Sequence, residues 1–289
     1  MKQILLHIGL PKTATTLIQD ELATEPEALQ NAGVHYVQSG TDVFGDKGHH
    51  ILVQALLGDR GRHIRHDTTQ DELDQAWPNA MREMRRHDAP IQVLSSELFS
   101  WALTDVRDLR RLQRRLDGFD VRVVLVLRDI GSFTDSAYAQ RVKDGAGSSI
   151  GSFVAQHWDL LNWRELTRNW ARVFGRENVR ALDFKTLQKD GHVVDNFLRK
   201  SVDLKIDTPI FEPTSSNVAL PLNAVQIIRE VNASDIGQPD QIAFRHMVRA
   251  FFEKHAGAVD PAAFQKAKFL SGDARKVLER HCDWPQTDD

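Results

Sequence analysis

The first place in this chain where residue types and spacing can do chemistry is Gly9-Leu10-Pro11-Lys12-Thr13-Ala14-Thr15-Thr16. It follows Gln3-Ile4-Leu5-Leu6-His7-Ile8, a short apolar run that reads as a buried strand of a parallel sheet. Beyond it, apolar residues at helical spacing predict a helix beginning near Thr13 to Thr16. A strand, a tight turn and a helix N-terminus make an anion site, because unpaired backbone N–H groups and the positive end of the helix dipole converge there. Lys12 adds a full charge, and Thr13, Thr15 and Thr16 add hydroxyl donors. The turn departs from the common nucleotide-triphosphate loop, G-x-x-x-x-G-K-[ST], since only Leu10 and Pro11 separate Gly9 from Lys12. Taken alone, it is equally a strand-to-helix connection with a Thr cap and a solvated Lys.

A second candidate lies after Val121-Arg122-Val123-Val124-Leu125-Val126-Leu127, the most β-branched run in the chain. That run ends at Arg128-Asp129, and Ser136 stands eight residues after Arg128. An Arg at a strand end and a Ser further along can hold one phosphate together, by a charge-assisted fork and a hydroxyl. The plain alternative pairs Arg128 with Asp129 or Glu97 and leaves Ser136 an ordinary helix residue. Ligands of open parallel sheets sit beyond the carboxyl ends of the strands. Lys12, Ser95-Ser96-Glu97 and Arg128 therefore fall on one expected rim. Glu97, on that rim, is a candidate base, and so are His49 and His50 in the loop after the second expected strand, since histidine has the better unperturbed pKa for a base at neutral pH. We favour His50, then Glu97. His63 and His66 read as surface histidines rather than metal ligands.

The elements that must position these groups alternate strand and helix. Val34 to Val37, Ile91 to Ser95 and Asn178 to Phe184 read as further strands. A helix is expected near His50 to Leu57, and Thr69 with Glu72 forms a capping-box pattern opening another through Arg86. Asp105 to Leu116 reads as an amphipathic helix whose arginines form a solvated face. Helices are also expected from Ser132 to Lys143, before a Gly-rich break at Gly145 to Gly151, and from Trp163 to Phe174, closed by Gly175. A further helix is expected from about His192 to Arg199, and beyond Pro221 the pattern stays helical through Leu278. The predicted fold is α/β: a three-layer parallel sheet with flanking helices and a helical C-terminal part. We expect one domain over 1–289, with a core of about 1–205 and the helical part over about 206–289.

Composition narrows the function classes. The 289 residues are 41% hydrophobic and 27% charged, as in an ordinary globular protein. A net charge of -3 gives no sign of nucleic-acid binding, and the single Cys282 excludes an intramolecular disulfide or a cysteine metal cluster. No apolar run reaches membrane-spanning length and no signal-peptide pattern opens the chain, so a cytoplasmic protein is expected.

Pro11-Lys12-Thr13-Ala14-Thr15-Thr16 resembles the 5′-phosphosulfate loop of sulfotransferases that use 3′-phosphoadenosine 5′-phosphosulfate (PAPS). Ala14 stands where that family commonly has Gly, a change that fits if the residue is already helical. Arg128 with Ser136 matches the family's 3′-phosphate pair, although Ile130 stands where Pro is frequent. Ser95-Ser96-Glu97 and Trp170 to Gly175 continue the resemblance, which covers about Lys2 to Leu204 and is of the bacterial type. Ser215-Ser216-Asn217 faintly resembles the remnant of a cofactor loop.

The resemblance implies a P-loop-like fold and sulfuryl transfer from PAPS to a hydroxyl or amine, by in-line displacement without a metal. Lys12 would be catalytic, with His50 or Glu97 as base. Pro11, Lys12, Thr13, Ala14, Thr15, Thr16, Arg128 and Ser136 would bind the cofactor. The acceptor would be a small molecule, carbohydrate or lipid. Trp158, Trp163, Phe153 and Phe44 are candidate cleft aromatics, although such residues are more often core. Two rivals stand beside this reading. One is a Mg²⁺-dependent P-loop phosphotransferase or hydrolase using Asp129, and the other is an inactive nucleotide-binding relative.

Overall fold

In the computed structural model the structure describes residues 1–41, 47–61, 68–189, 191–202, 209–211, 220–255 and 268–282. Phe44, His63, His66 and Ser215-Ser216-Asn217 lie outside the described residues. The chain runs β1 (Gln3–His7), α1 (Thr15–Thr24), α2 (Pro26–Asn31), β2 (Val34–Tyr36), α3 (His50–Leu57), α4 (Gln70–Arg86), β3 (Ile91–Ser95), α5 (Leu98–Ala102), α6 (Val106–Arg115) and β4 (Asp120–Leu127). It continues through α7 (Ile130–Lys143), α8 (Ile150–Gln156), α9 (Trp158–Leu161), α10 (Trp163–Phe174), β5 (Val179–Asp183), α11 (Phe184–Leu187) and α12 (Val193–Val202). The last helices are α13 (Leu222–Asn232), α14 (Gln238–His255) and α15 (Gly272–Cys282).

The five strands among the described residues are all parallel, in the order β2-β3-β1-β4-β5. The apolar run at the start of the chain is thus the central strand. Its register sets His7 opposite Ser95 on one side and Val124 on the other. Leu5 faces a cluster with Ile18 and Leu22 of α1, Val93, Val124 and Phe197 of α12. Ile4, Leu6, Leu94, Val123 and Leu125 alternate to the opposite face and are equally inaccessible. Both faces are therefore covered, as a parallel sheet requires. Helices α4, α5 and α6 pack around α3, where the Trp77 indole N–H of α4 donates to the Leu52 carbonyl across 2.9 Å.

The chain divides into two compact units. The first holds 1–128 and 164–213, with the whole sheet; the second holds 129–163 and most of the residues after 213. In the second, α7 packs against α8, α13 and α15. Asp129 caps α7 by accepting from the Ser132 N–H (2.7 Å). Arg275 of α15 pairs with Asp129 (2.9 Å) and with the buried Asp135 (2.7 Å).

The Thr69–Glu72 capping box is present, and Gly175 closes α10 at φ 91°, a left-handed position that glycine takes without strain. The short helices α2, α5, α8, α9 and α11 are additions to the predicted elements. Trp163 and Phe153 belong to the core: Trp163 is fully buried against Phe133, and Phe153 packs against Tyr138.

Candidate functional site

Lys12, Glu97 and Arg128 follow the carboxyl ends of β1, β3 and β4. β1 stops at His7, and the chain turns through Gly9 to Thr13 before α1 begins. Lys12 and Ala14 both adopt left-handed backbone, at φ 66° and 62°. Ala14 is the N-cap position of α1 and makes no side-chain cap. It is therefore not helical, the condition on which Ala in place of the family's Gly was expected to fit, but holds the conformation for which Gly is the usual residue. An L-residue there costs about 1–2 kcal/mol, and such strain concentrates at functional sites. Alternating backbone handedness also gathers successive N–H groups into an anion-binding concavity, here at an uncapped helix N-terminus.

The loop is braced from inside. The Thr13 and Thr15 hydroxyls both donate to the Leu10 carbonyl, at 2.6 and 2.9 Å, and both side chains are buried. Their protons are directed into the loop rather than outward, whereas Thr16 and Lys12 are exposed. Gly9 has no room for a side chain: a Cβ would lie 2.6 Å from His7 Nε2 and 2.8 Å from Thr15 Oγ1. From β4, Arg128 reaches the same loop and donates to the Lys12 carbonyl at 3.1 Å. Its guanidinium carbon also lies 5.9 Å from the centre of the Phe184 ring. Ser136 is half-buried on α7 in the second unit.

His49 and His50, adjacent in sequence, have different surroundings. His49 is fully buried, its Nε2–H donates to the Val37 carbonyl (2.7 Å), and its Nδ1 accepts from the Ser95 N–H (3.0 Å). Burial pushes its pKa down to about 4, against smaller upward effects of the Ser95 and Val37 hydrogen bonds. Both ring nitrogens are committed to backbone, so His49 pins the loop to β3 and is no base. His50 places Nδ1 2.6 Å from Ser96 Oγ and Nε2 4.0 Å from Glu97 Oε2. Ser96 Oγ accepts from the Leu98 N–H at 3.1 Å and has a second lone pair for a His50 Nδ1–H. With the ring proton on Nδ1, Nε2 is the basic nitrogen beside Glu97.

Gln19 and His7 carry no sequence signal that marks them as site residues. Gln19, buried on α1, directs its Nε2–H₂ to Glu97 Oε2 (3.3 Å) and to Ser95 Oγ (3.3 Å). It links the helix of the anion loop to the carboxylate. His7 sits beneath the loop with Nδ1 2.8 Å from Ser95 Oγ, and burial pushes its pKa down to about 3. Both side chains are hidden in segments that read as strand and helix interior, and only the fold brings them to β3.

The Asp129 carboxylate, the metal ligand of the phosphotransferase rival, is occupied by its helix cap and by Arg275. No cluster of His, Cys, Asp and Glu suited to a metal ion occurs among the described residues. No described helix is long and apolar enough to cross a membrane.

No protein-family model matches this chain, and neither does any curated protein. Among solved structures, it is similar to a sulfotransferase from Alicyclobacillus acidocaldarius, at 14% identity over 92% of this chain and 97% of that one, with a TM-score of 0.45. It is also similar to the sulfotransferase domain of the Synechococcus PCC 7002 olefin synthase, at 14% identity, 98% and 95% coverage and a TM-score of 0.43. A third is the sulfotransferase domain from the curacin biosynthetic pathway, at 11% identity, 99% coverage of both chains and a TM-score of 0.44.

Proposed function

We propose that this chain is a PAPS-dependent sulfotransferase acting on an acceptor hydroxyl. The observation that carries the reading is the left-handed pair Lys12 and Ala14 at the uncapped N-terminus of α1, beyond the central strand. That backbone suits a phosphate, and the run Pro11 to Thr16 that adopts it has the residue pattern of a phosphosulfate loop.

The cofactor would supply the sulfuryl group to the acceptor oxygen, and its 5′-phosphate would leave with the bonding electron pair. Backbone N–H groups from Thr13 to Thr16 and the exposed Thr16 hydroxyl hold the 5′-phosphate, with Pro11 fixing the chain ahead of Lys12. The Lys12 ammonium offsets charge growing on the leaving oxygen. Arg128 binds the 3′-phosphate, and Ser136 is assigned there by the sequence resemblance alone. His50 Nε2 takes the acceptor proton, and Glu97, held by Gln19, stabilises the imidazolium. Lys12, Arg128 and the helix N-terminus meet the charge of the reaction, so the reading requires no divalent cation.

The test is consumption of PAPS in EDTA with a panel of hydroxyl acceptors, followed as release of 3′-phosphoadenosine 5′-phosphate. Turnover that falls by about a hundredfold or more in Lys12→Met supports the reading. Hydrolysis of Mg-ATP with PAPS left untouched contradicts it.

A further inference from the structure

Helix α5 is a single turn with two sides. Its inward side carries the buried Phe99 and Ser100, and the Ser100 hydroxyl donates to the Gly9 carbonyl across 2.9 Å. The helix is thereby fastened to the start of the anion loop. Its outward side carries Trp101, one turn after the half-buried N-cap residue Glu97. The Trp101 N–H donates to the Glu97 carbonyl at 3.1 Å. Such an i to i+4 bond sets two side chains one above the other on the same helix face.

Trp101 is 47% exposed. Of the exposed large hydrophobic side chains among the described residues, Met1 and Trp101 alone lie in the first unit; the others belong to the second. Isolated apolar residues on a surface need no explanation. This one is a flat indole on a fixed helix, a single turn from a carboxylate paired with a buried imidazole. An indole face stacks on aromatic rings and on the C–H faces of other flat rings. Binding sites join such a surface to a few polar groups that fix orientation.

We propose that Trp101 is the acceptor platform. It stacks a ring-borne acceptor, a flat apolar face with a hydroxyl on its edge, so that the hydroxyl meets His50 and Glu97. The chemistry rests on the sulfotransferase reading; the stacking does not.

The test titrates wild type, Trp101→Ala and Trp101→Phe with methyl β-D-glucopyranoside, methyl β-D-galactopyranoside, 4-methylphenol and acyclic 1-butanol. Tryptophan fluorescence and ligand-observed NMR report binding. Ring compounds are expected to bind wild type, to bind Trp101→Ala at least about tenfold more weakly, and to bind Trp101→Phe within about threefold of wild type. Binding of the glycosides alone identifies a pyranose acceptor; binding of the phenol alone identifies an aromatic one. No ring binding by wild type, equal binding by Trp101→Ala, or preference for 1-butanol overturns the platform. The same proteins are titrated with 3′-phosphoadenosine 5′-phosphate, which Trp101→Ala should bind as wild type does, showing that it is folded. Trp101-dependent ring binding without any binding of that nucleotide would leave the platform standing and remove the sulfotransferase reading.

Discussion

The guanidinium of Arg128 donates to the main-chain carbonyl of Lys12 across 3.1 Å, so the charge that ends β4 braces the loop that follows β1. One residue thereby links the two stretches assigned to the two phosphates of a single nucleotide. Replacing it should loosen the loop as well as remove a charge. Arg128→Ala is expected to speed amide exchange at Lys12 to Thr16, and Arg128→Lys, which keeps the charge without the planar fork, should restore little of the protection. Exchange measured by mass spectrometry on the ligand-free protein checks this.

The backbone of the loop makes a separate prediction. Ala14 sits at φ 62°, so Ala14→Gly relieves left-handed strain while adding freedom to the unfolded chain. The net effect should be between zero and about 1 kcal/mol of stabilisation. Ala14→Val should instead destabilise by about 1 kcal/mol or more, since a β-branched residue resists that region. Gly9→Ala would push a methyl into His7 and Thr15, displacing the loop. Urea denaturation of the three variants ranks them.

Acid should weaken the fold through two neutral histidines. Burial holds His7 at about 3 and His49 at about 4, against 6.5 for an ordinary imidazole. Below pH 6.5 the unfolded chain takes up protons at both while the folded chain does not, so stability falls with falling pH until the folded values are reached. The slope is at most about 2.7 kcal/mol per pH unit for two protons. Glu83 extends the decline. Burial raises its carboxyl, but hydrogen bonds from His35, Ser39 and Gln38 outweigh this and bring its pKa down to about 2 from 4.5. Its contribution is lost between those values. Urea midpoints at pH 7 and pH 5 should differ, and His7→Asn should reduce the difference by the share of one proton.

His50 and Glu97 act on the acceptor in this account and leave the nucleotide to other residues. His50→Gln and Glu97→Gln should each lower kcat by about a hundredfold or more, with nucleotide affinity unchanged within about twofold. Gln19→Leu should lower kcat less, about tenfold, since it releases Glu97 without removing it. Initial rates at saturating cofactor, beside calorimetric affinities, separate these effects.

The central strand, the turn into α1 and the positions of Glu97 and Arg128 after strand ends were legible because each is a local signal: an apolar run, a break at Gly9, a charge after a strand. The conformation of Ala14 was not, since a small residue before an apolar helix reads as helix. His49 and His50 are identical letters, and only the register of β3 against the preceding loop commits the first to backbone and turns the second to Ser96 and Glu97. Trp101 was missed because α5 spans five residues, too few for a periodic pattern. Gln19 looked like an ordinary polar helix residue until the strand order put α1 beside the end of β3.

The most direct test of the central claim is calorimetric titration with 3′-phosphoadenosine 5′-phosphate in EDTA, beside ADP and Mg-ATP, on wild type and Arg128→Ala. Metal-free binding of the 3′-phosphorylated nucleotide is expected, at least about tenfold tighter than ADP and weakened by at least about tenfold in the variant. Binding of Mg-ATP in preference, or equal affinity for ADP and the 3′-phosphorylated nucleotide, would contradict it.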